Sequence, residues 1–275
     1  MDRAGRPAHS SGNRRRSGRV SLPRLHAEGD IVTSKHLPGA EDADEAEGPE
    51  QPHVLTRERL MTNSLDEMVR GAFGAQLMSE TDRARSLHET LEQRPPGSGP
   101  VWLFGYGSLI WNPTIHYADS RFARVEGWQR AFCLSTPVGR GTPENPGLVL
   151  ALDEGGYCEG VAFRIEEAVL VQELSLIWRR EMLTGAYIPR WLPLHDAEGK
   201  VFGQGIGFVV NRAGPQYADL TEADVVRRLA TAVGHLGSAA DYLRQTHRGL
   251  RRLGIRDALL DRLLPLVAQA QERTG

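Results

Sequence analysis

Trp102-Leu-Phe-Gly-Tyr-Gly-Ser-Leu-Ile-Trp-Asn-Pro113 begins as an apolar run and breaks into glycines. That is the pattern of a short buried strand entering a tight turn. Gly105 and Gly107 permit backbone angles that a side chain forbids, and they let amide groups approach a ligand closely. Ser108 stands where it can cap whatever follows. Such a loop offers N–H donors to a carbonyl or carboxylate, although a plain strand end with a glycine turn is written in the same letters. The loop lacks the Gly-Lys-Ser/Thr ending of a phosphate-binding loop. Ile110, not glycine, stands two places after Ser108, so this is not a nucleophile elbow.

Downstream, apolar runs are short, closely spaced and joined by turn residues. Arg121 to Ser135 holds two runs around Gly127, and Gly139-Arg-Gly-Thr-Pro-Glu-Asn-Pro-Gly147 is a glycine- and proline-rich loop. Leu148 to Leu152 reads as a buried strand, Asp153-Glu-Gly-Gly156 as a turn, and Cys158 to Ile165 as the next strand. Further strands are expected at Arg190 to Leu194 and Gly203 to Val210, then helices over Thr221 to Val233, Ser238 to Leu253 and Ile255 to Glu272. The class is α+β, a small mixed or antiparallel β-barrel with flanking helices.

Upstream, residues 1–55 read as a disordered tail. A basic run, Arg14-Arg-Arg-Ser-Gly-Arg19, is followed by an acidic one, Glu41 to Glu47, and the segment has no aromatic residue to build a core. A transit peptide and a translation start at Met61 are alternative readings. Residues 56–94 carry helical spacing and are expected to form peripheral helices. The Pro95-Pro-Gly-Ser-Gly-Pro100 linker then leads into a compact domain over residues 101–275.

The net charge of -2 over 275 residues gives no reason to expect nucleic acid as a partner. No apolar run is long enough to span a membrane. The two cysteines, Cys133 and Cys158, lie in no metal-binding spacing and indicate no disulfide framework. They fit a reducing, cytoplasmic setting. Oligomeric state is not legible.

Glu166 to Leu183 is the clearest helix. Leu170, Leu174, Ile177 and Trp178 form one apolar stripe, and its next step lands on Glu181. A carboxylate is thus expected on the inward face near the helix end, with Gly185 as the residue that stops the helix. Two readings follow. Glu181 is either a buried partner of Arg179 or Arg180, or a general acid/base whose pKa is raised by desolvation. Tyr106 and Tyr187 can offer phenol donors, and Arg140 can meet a substrate carboxylate. Trp111 and Trp128 read as core, and the histidines form no usable spacing.

Phe104-Gly-Tyr-Gly-Ser-Leu-Ile-Trp111, Gly139-Arg-Gly-Thr142 with Pro146-Gly147, and Trp178-Arg-Arg-Glu-Met-Leu-Thr-Gly-Ala-Tyr187 together resemble the ChaC family, most closely its bacterial branch labelled "cation transport regulator". The resemblance covers Val101 to the C-terminus. It implies a γ-glutamylcyclotransferase that acts on glutathione, releasing 5-oxoproline and cysteinylglycine, on a small β-barrel with flanking helices. It also implies that Tyr106, Gly107, Ser108 and Leu109 hold the γ-glutamyl group, that Glu181 is the catalytic carboxylate and that Tyr187 neighbours the site. Some members carry His before the Arg-Gly of the glycine-rich loop; here that position is Gly139. No metal or organic cofactor is called for. The alternatives are a non-enzymatic regulator that binds a γ-glutamyl metabolite, and a cyclotransferase for other γ-glutamyl amino acids or amines.

Overall fold

The computed structural model describes residues 55–62, 64–73 and 77–273, so the expected tail lies, except for Leu55, outside the described residues. Three helices come first: α1 (Arg57–Met61), α2 (Ser64–Phe73) and α3 (Glu80–Glu92). Strand β1 (Trp102–Gly105) leads into a 3-10 turn at Ser108–Ile110. Then come β2 (Asp119–Thr136), β3 (Gly147–Arg164), α4 (Leu170–Glu181), β4 (Tyr187–His195) and β5 (Val201–Val210). The chain continues through α5 (Glu222–Thr231), a two-residue hairpin of β6 (Val233–Gly234) and β7 (Gly237–Ser238), α6 (Ala239–Arg252) and α7 (Ala258–Glu272).

The sheet closes into a barrel in the order β1-β3-β2-β4-β5. β1 runs parallel to β5 and antiparallel to β3, so the barrel is mixed, as the sequence implied. Alternation along β1 divides the core. Trp102 and Phe104 enter a cluster with α6 and α7, whereas Leu103 faces Leu174, Ile177 and Trp178 of α4. The α4 stripe is buried as expected, and Trp178 meets Phe208 edge-on at 5.2 Å between ring centroids.

One sequence expectation is corrected. Asp153 to Gly156 is not a turn: β3 runs straight through it, paired with β2 from Asp119↔Arg164 to Thr136↔Gly147. Gly155 and Gly156, both at positive φ, lie opposite the single Gly127, also at positive φ. Two residues facing one make a β-bulge, which bends the long ribbon and helps it to close. Glycine pairs signal turns and bulges alike.

β4 is longer than expected, beginning at Tyr187, and it holds Pro189 and Pro193. Those prolines are tolerated because β4 pairs fully only with β5; its register with β2 is the single pair Arg124↔His195. The helices after β5 begin on side-chain caps. Ser238 accepts the Asp241 amide proton at 3.0 Å, and Asp257 does the same for Leu260 at 3.0 Å.

Candidate active site

β1 delivers the glycine loop and α4 ends on Glu181 at the same corner of the barrel. Two adjoining cavities open there, one of about 210 Å³ and a narrow one of about 20 Å³. Ser108, Glu181, Tyr187 and Tyr242 line both. Tyr106, Gly107 and Leu109 line the narrow one, and Arg140 lines the wide one. All seven residues singled out in the sequence therefore face one connected space.

Glu181 has both the arginine partner and the desolvating burial. Its side chain is 13% exposed, within the cavity, and Arg180 donates Nε–H to its Oε1 at 3.0 Å. Burial pushes its pKa up from the usual 4.5, and the Arg180 cation only partly offsets that. Arg180 also donates to Ser108 Oγ at 2.6 Å, to the Asn112 carbonyl at 2.7 Å and to Thr114 Oγ1 at 3.2 Å. One guanidinium thus ties the glycine loop to the carboxylate.

The phenols divide differently from expectation. Tyr106 donates its hydroxyl to the Phe208 carbonyl at 2.6 Å, and Tyr187 donates to the Leu150 carbonyl at 2.9 Å. Both protons are committed to the barrel wall. Tyr242 of α6, which sequence reasoning missed, instead accepts the Leu150 amide proton at 3.4 Å. Among the described residues its own proton has no acceptor. Burial pushes the Tyr242 pKa to about 12, so the hydroxyl stays protonated at neutral pH. The Gly107 backbone lies so close that a Cβ there would stand 2.9 Å from the Tyr242 oxygen. The amides opening the Ser108–Ile110 turn have no partner within that turn, so they and the Tyr242 hydroxyl form a set of donors at one corner.

Arg140 projects from the β2–β3 loop. The loop base is pinched shut: a Cβ on Gly141 would stand 2.0 Å from the Gly147 nitrogen. Leu236 donates its amide proton to the Gly139 carbonyl at 2.8 Å, which fixes the loop against the β6–β7 hairpin. The Arg140 side chain is 9% exposed, donates to the Ser238 carbonyl at 3.4 Å and sits 5.8 Å from the Tyr242 ring centroid. Among the described residues it has no carboxylate within ion-pair distance. Burial lowers its pKa, against the opposing pull of Tyr242 and Asp241. A buried cation without a counter-ion suits an anionic ligand.

The segment before the linker also reaches the site: Leu55, just ahead of α1, and Leu65 and Val69 of α2 line the wide cavity. Arg57 of α1 grips a second carboxylate of α4, Glu173, with two bonds at 2.6 and 2.7 Å. Both cysteines are buried and unpaired, and burial raises their pKa to about 12 for Cys133 and about 11 for Cys158. Among the described residues no cluster of three or more His, Cys, Asp or Glu is placed to hold a metal. No helix among them is long and apolar enough to cross a membrane.

The family model described as ChaC-like protein matches residues 101–270. The chain belongs to the ChaC family. It is 44% identical over 216 residues to the glutathione-specific gamma-glutamylcyclotransferase of Escherichia coli (strain K12), covering 77% of this chain and 91% of that protein. It is 32% identical over 178 residues to the protein of the same name from Schizosaccharomyces pombe, covering 56% and 85% of the two. Among solved structures, a yeast cyclotransferase specific to glutathione superposes with a TM-score of 0.58 at 20% identity, covering 63% of this chain and 97% of that one. At that identity the likeness speaks for a shared fold alone.

Proposed function

We propose that this chain is a glutathione-specific γ-glutamylcyclotransferase, a lyase that converts glutathione to 5-oxoproline and cysteinylglycine in the cytoplasm. Family membership and the E. coli relative support the reaction class. The observation that carries the reading in this chain is Glu181: buried, its pKa raised, and lining the same narrow cavity as the Gly107–Leu109 loop.

The chemistry follows from the substrate. The α-amine of the γ-glutamyl group, once its ammonium proton has gone to solvent, attacks its own side-chain carbonyl, and a five-membered ring closes. No enzyme nucleophile is required, because folding the substrate back on itself supplies the proximity. The N–C bond forms as Glu181 takes a proton from the attacking nitrogen. The scissile C–N bond then breaks as Glu181 hands that proton to the departing nitrogen, which leaves as the free amine of cysteinylglycine. A carboxylate with a raised pKa is suited to both transfers. Charge gathers on the carbonyl oxygen between these steps. The Tyr242 hydroxyl and the amides opening the Ser108 turn are the donors we assign to it.

Arg180 acts as a positioning residue, holding Ser108 and Glu181 at fixed separation. Arg140 is assigned to the glycyl carboxylate. That assignment separates glutathione from γ-glutamyl amines, which lack the carboxylate. The test is to incubate the purified chain with glutathione and follow 5-oxoproline and cysteinylglycine. Equimolar products are expected, with weaker turnover of γ-glutamyl amines. No product from glutathione overturns the reading.

A further inference from the structure

The family match begins at residue 101, yet the wide cavity is walled on one side by residues that precede it. Leu55, Leu65 and Val69 line that side; Leu65 is 7% and Val69 6% exposed. The segment is tied to the catalytic corner by several bonds. Asn112 donates Nδ2–H to the Leu55 carbonyl at 2.8 Å, and the Asn112 carbonyl accepts from Arg180. Arg179, two residues before Glu181, donates to the Leu60 carbonyl at 3.1 Å. Arg57 holds Glu173, and Arg83 of α3 holds Asp66 of α2 at 2.7 Å.

We propose that α2, together with Leu55 just ahead of α1, is the specificity wall of the site, selecting the side chain on the leaving half of a γ-glutamyl peptide by aliphatic contact. The proposal rests on the cyclotransferase reading. Its argument is one of polarity and space. The γ-glutamyl head carries an ammonium and a carboxylate, and an aliphatic wall is a poor place for either. The head belongs with Ser108, Glu181 and Tyr242, where the narrow cavity adjoins the wide one. What remains for the wide cavity is the leaving half: its terminal carboxylate toward Arg140, and the side chain beside the scissile amide toward Leu55, Leu65 and Val69. A thiol-bearing methylene is soft and weakly polar, and such a wall accepts it. A closely set wall also limits how large that side chain can be.

The experiment compares kcat/KM for S-butylglutathione and for glutathione on the same preparation of the full chain. The ratio cancels any loss of folded protein. Leu65→Ala/Val69→Ala enlarges the space and is expected to raise the ratio by roughly tenfold, the scale on which a methylene or two is discriminated in an apolar pocket. Leu65→Trp narrows it and is expected to move the ratio the other way. Should the double variant fail to fold, Val69→Ala alone reads the same direction at smaller size. Turnover of both substrates with an unchanged ratio in these variants overturns the wall while leaving the cyclotransferase reading intact. A wild-type chain that makes 5-oxoproline from neither substrate overturns that reading, and the wall with it.

Discussion

Helix α4 carries two inward carboxylates about two turns apart, and the fold treats them in opposite ways. Glu173, near its start, is 2% exposed, and both of its oxygens are met by donors. Arg57 grips both oxygens, and the His116 amide donates at 2.9 Å. Burial pushes its pKa up, but these partners outweigh burial and hold it below the usual value. Glu181, at the helix end, has one cationic partner beside it and a cavity in front. There burial wins and the pKa rises. One carboxylate fastens the structure, and the other is left able to exchange a proton. Burial alone does not distinguish them; the number of donors that meet the charge does.

The largest effect expected is on activity, from the less satisfied of the two. Glu181→Gln should lower kcat for 5-oxoproline formation by roughly 10²–10⁴-fold, the usual share of a general acid/base. Its stability effect should have the opposite sign to that of most buried changes. A folded pKa raised above the unfolded one gives stability that is present below the unfolded value and lost as pH rises through the folded value. At neutral pH the ionised Glu181 therefore weighs against the fold. The Gln variant should melt at or above the wild-type temperature at pH 8. A clear fall in Tm there would mean that Glu181 is a structural ion pair like Glu173.

Glu173→Gln should reverse the pattern. It leaves Arg57 without its counter-ion, and breaking a buried pair from one side costs about 3 kcal/mol where one partner is partly exposed, or roughly 5–10 °C in Tm. Here the folded pKa is depressed, so the stability is present above the unfolded pKa and lost as pH falls through the folded one. The gap between wild type and variant should close in acid, as followed by thermal melts across pH. A gap that stays constant would show that the charge on Glu173 is not what fastens α1 to α4.

Glu181 was legible in the sequence because it breaks an apolar stripe whose period is local. Gly185 is not the helix-stopping residue expected: α4 ends at Glu181 with its C-cap at Met182, and Gly185, at positive φ, lies in the bend beyond. Glu173 was not legible, because its partner Arg57 lies 116 residues away and neither residue advertises the other. Tyr242 escaped for a related reason: α6 was expected, but its role depends on meeting Gly107 and Leu150, which no local period encodes. A signal did exist. Tyr242 sits on the buried face of α6 with Ala239, Leu243 and Leu250, and a hydroxyl in such a stripe needs a partner. The barrel was legible from short runs and turns, although its bulge was read as a turn. The placing of Leu65 and Val69 of α2 against the cavity was not, because helical spacing tells that a face is buried and not against what.

Arg180 offers the finest cut between the two carboxylates, since among the described residues it is the one cation paired with Glu181. Two substitutions separate its charge from its fork of donors. Arg180→Gln removes both. The cation holds the Glu181 pKa down against burial, so without it the pKa climbs further. Glu181 must be ionised to take the amine proton, so the acid limb of kcat/KM should move to higher pH. Arg180→Lys keeps a positive charge near Glu181 but cannot span Ser108, Asn112 and the carboxylate together. It should leave the acid limb close to its wild-type position and lower kcat by roughly tenfold, through a loosened loop. An acid limb that does not move in Arg180→Gln would mean that the carboxylate titrating in the rate profile is not Glu181.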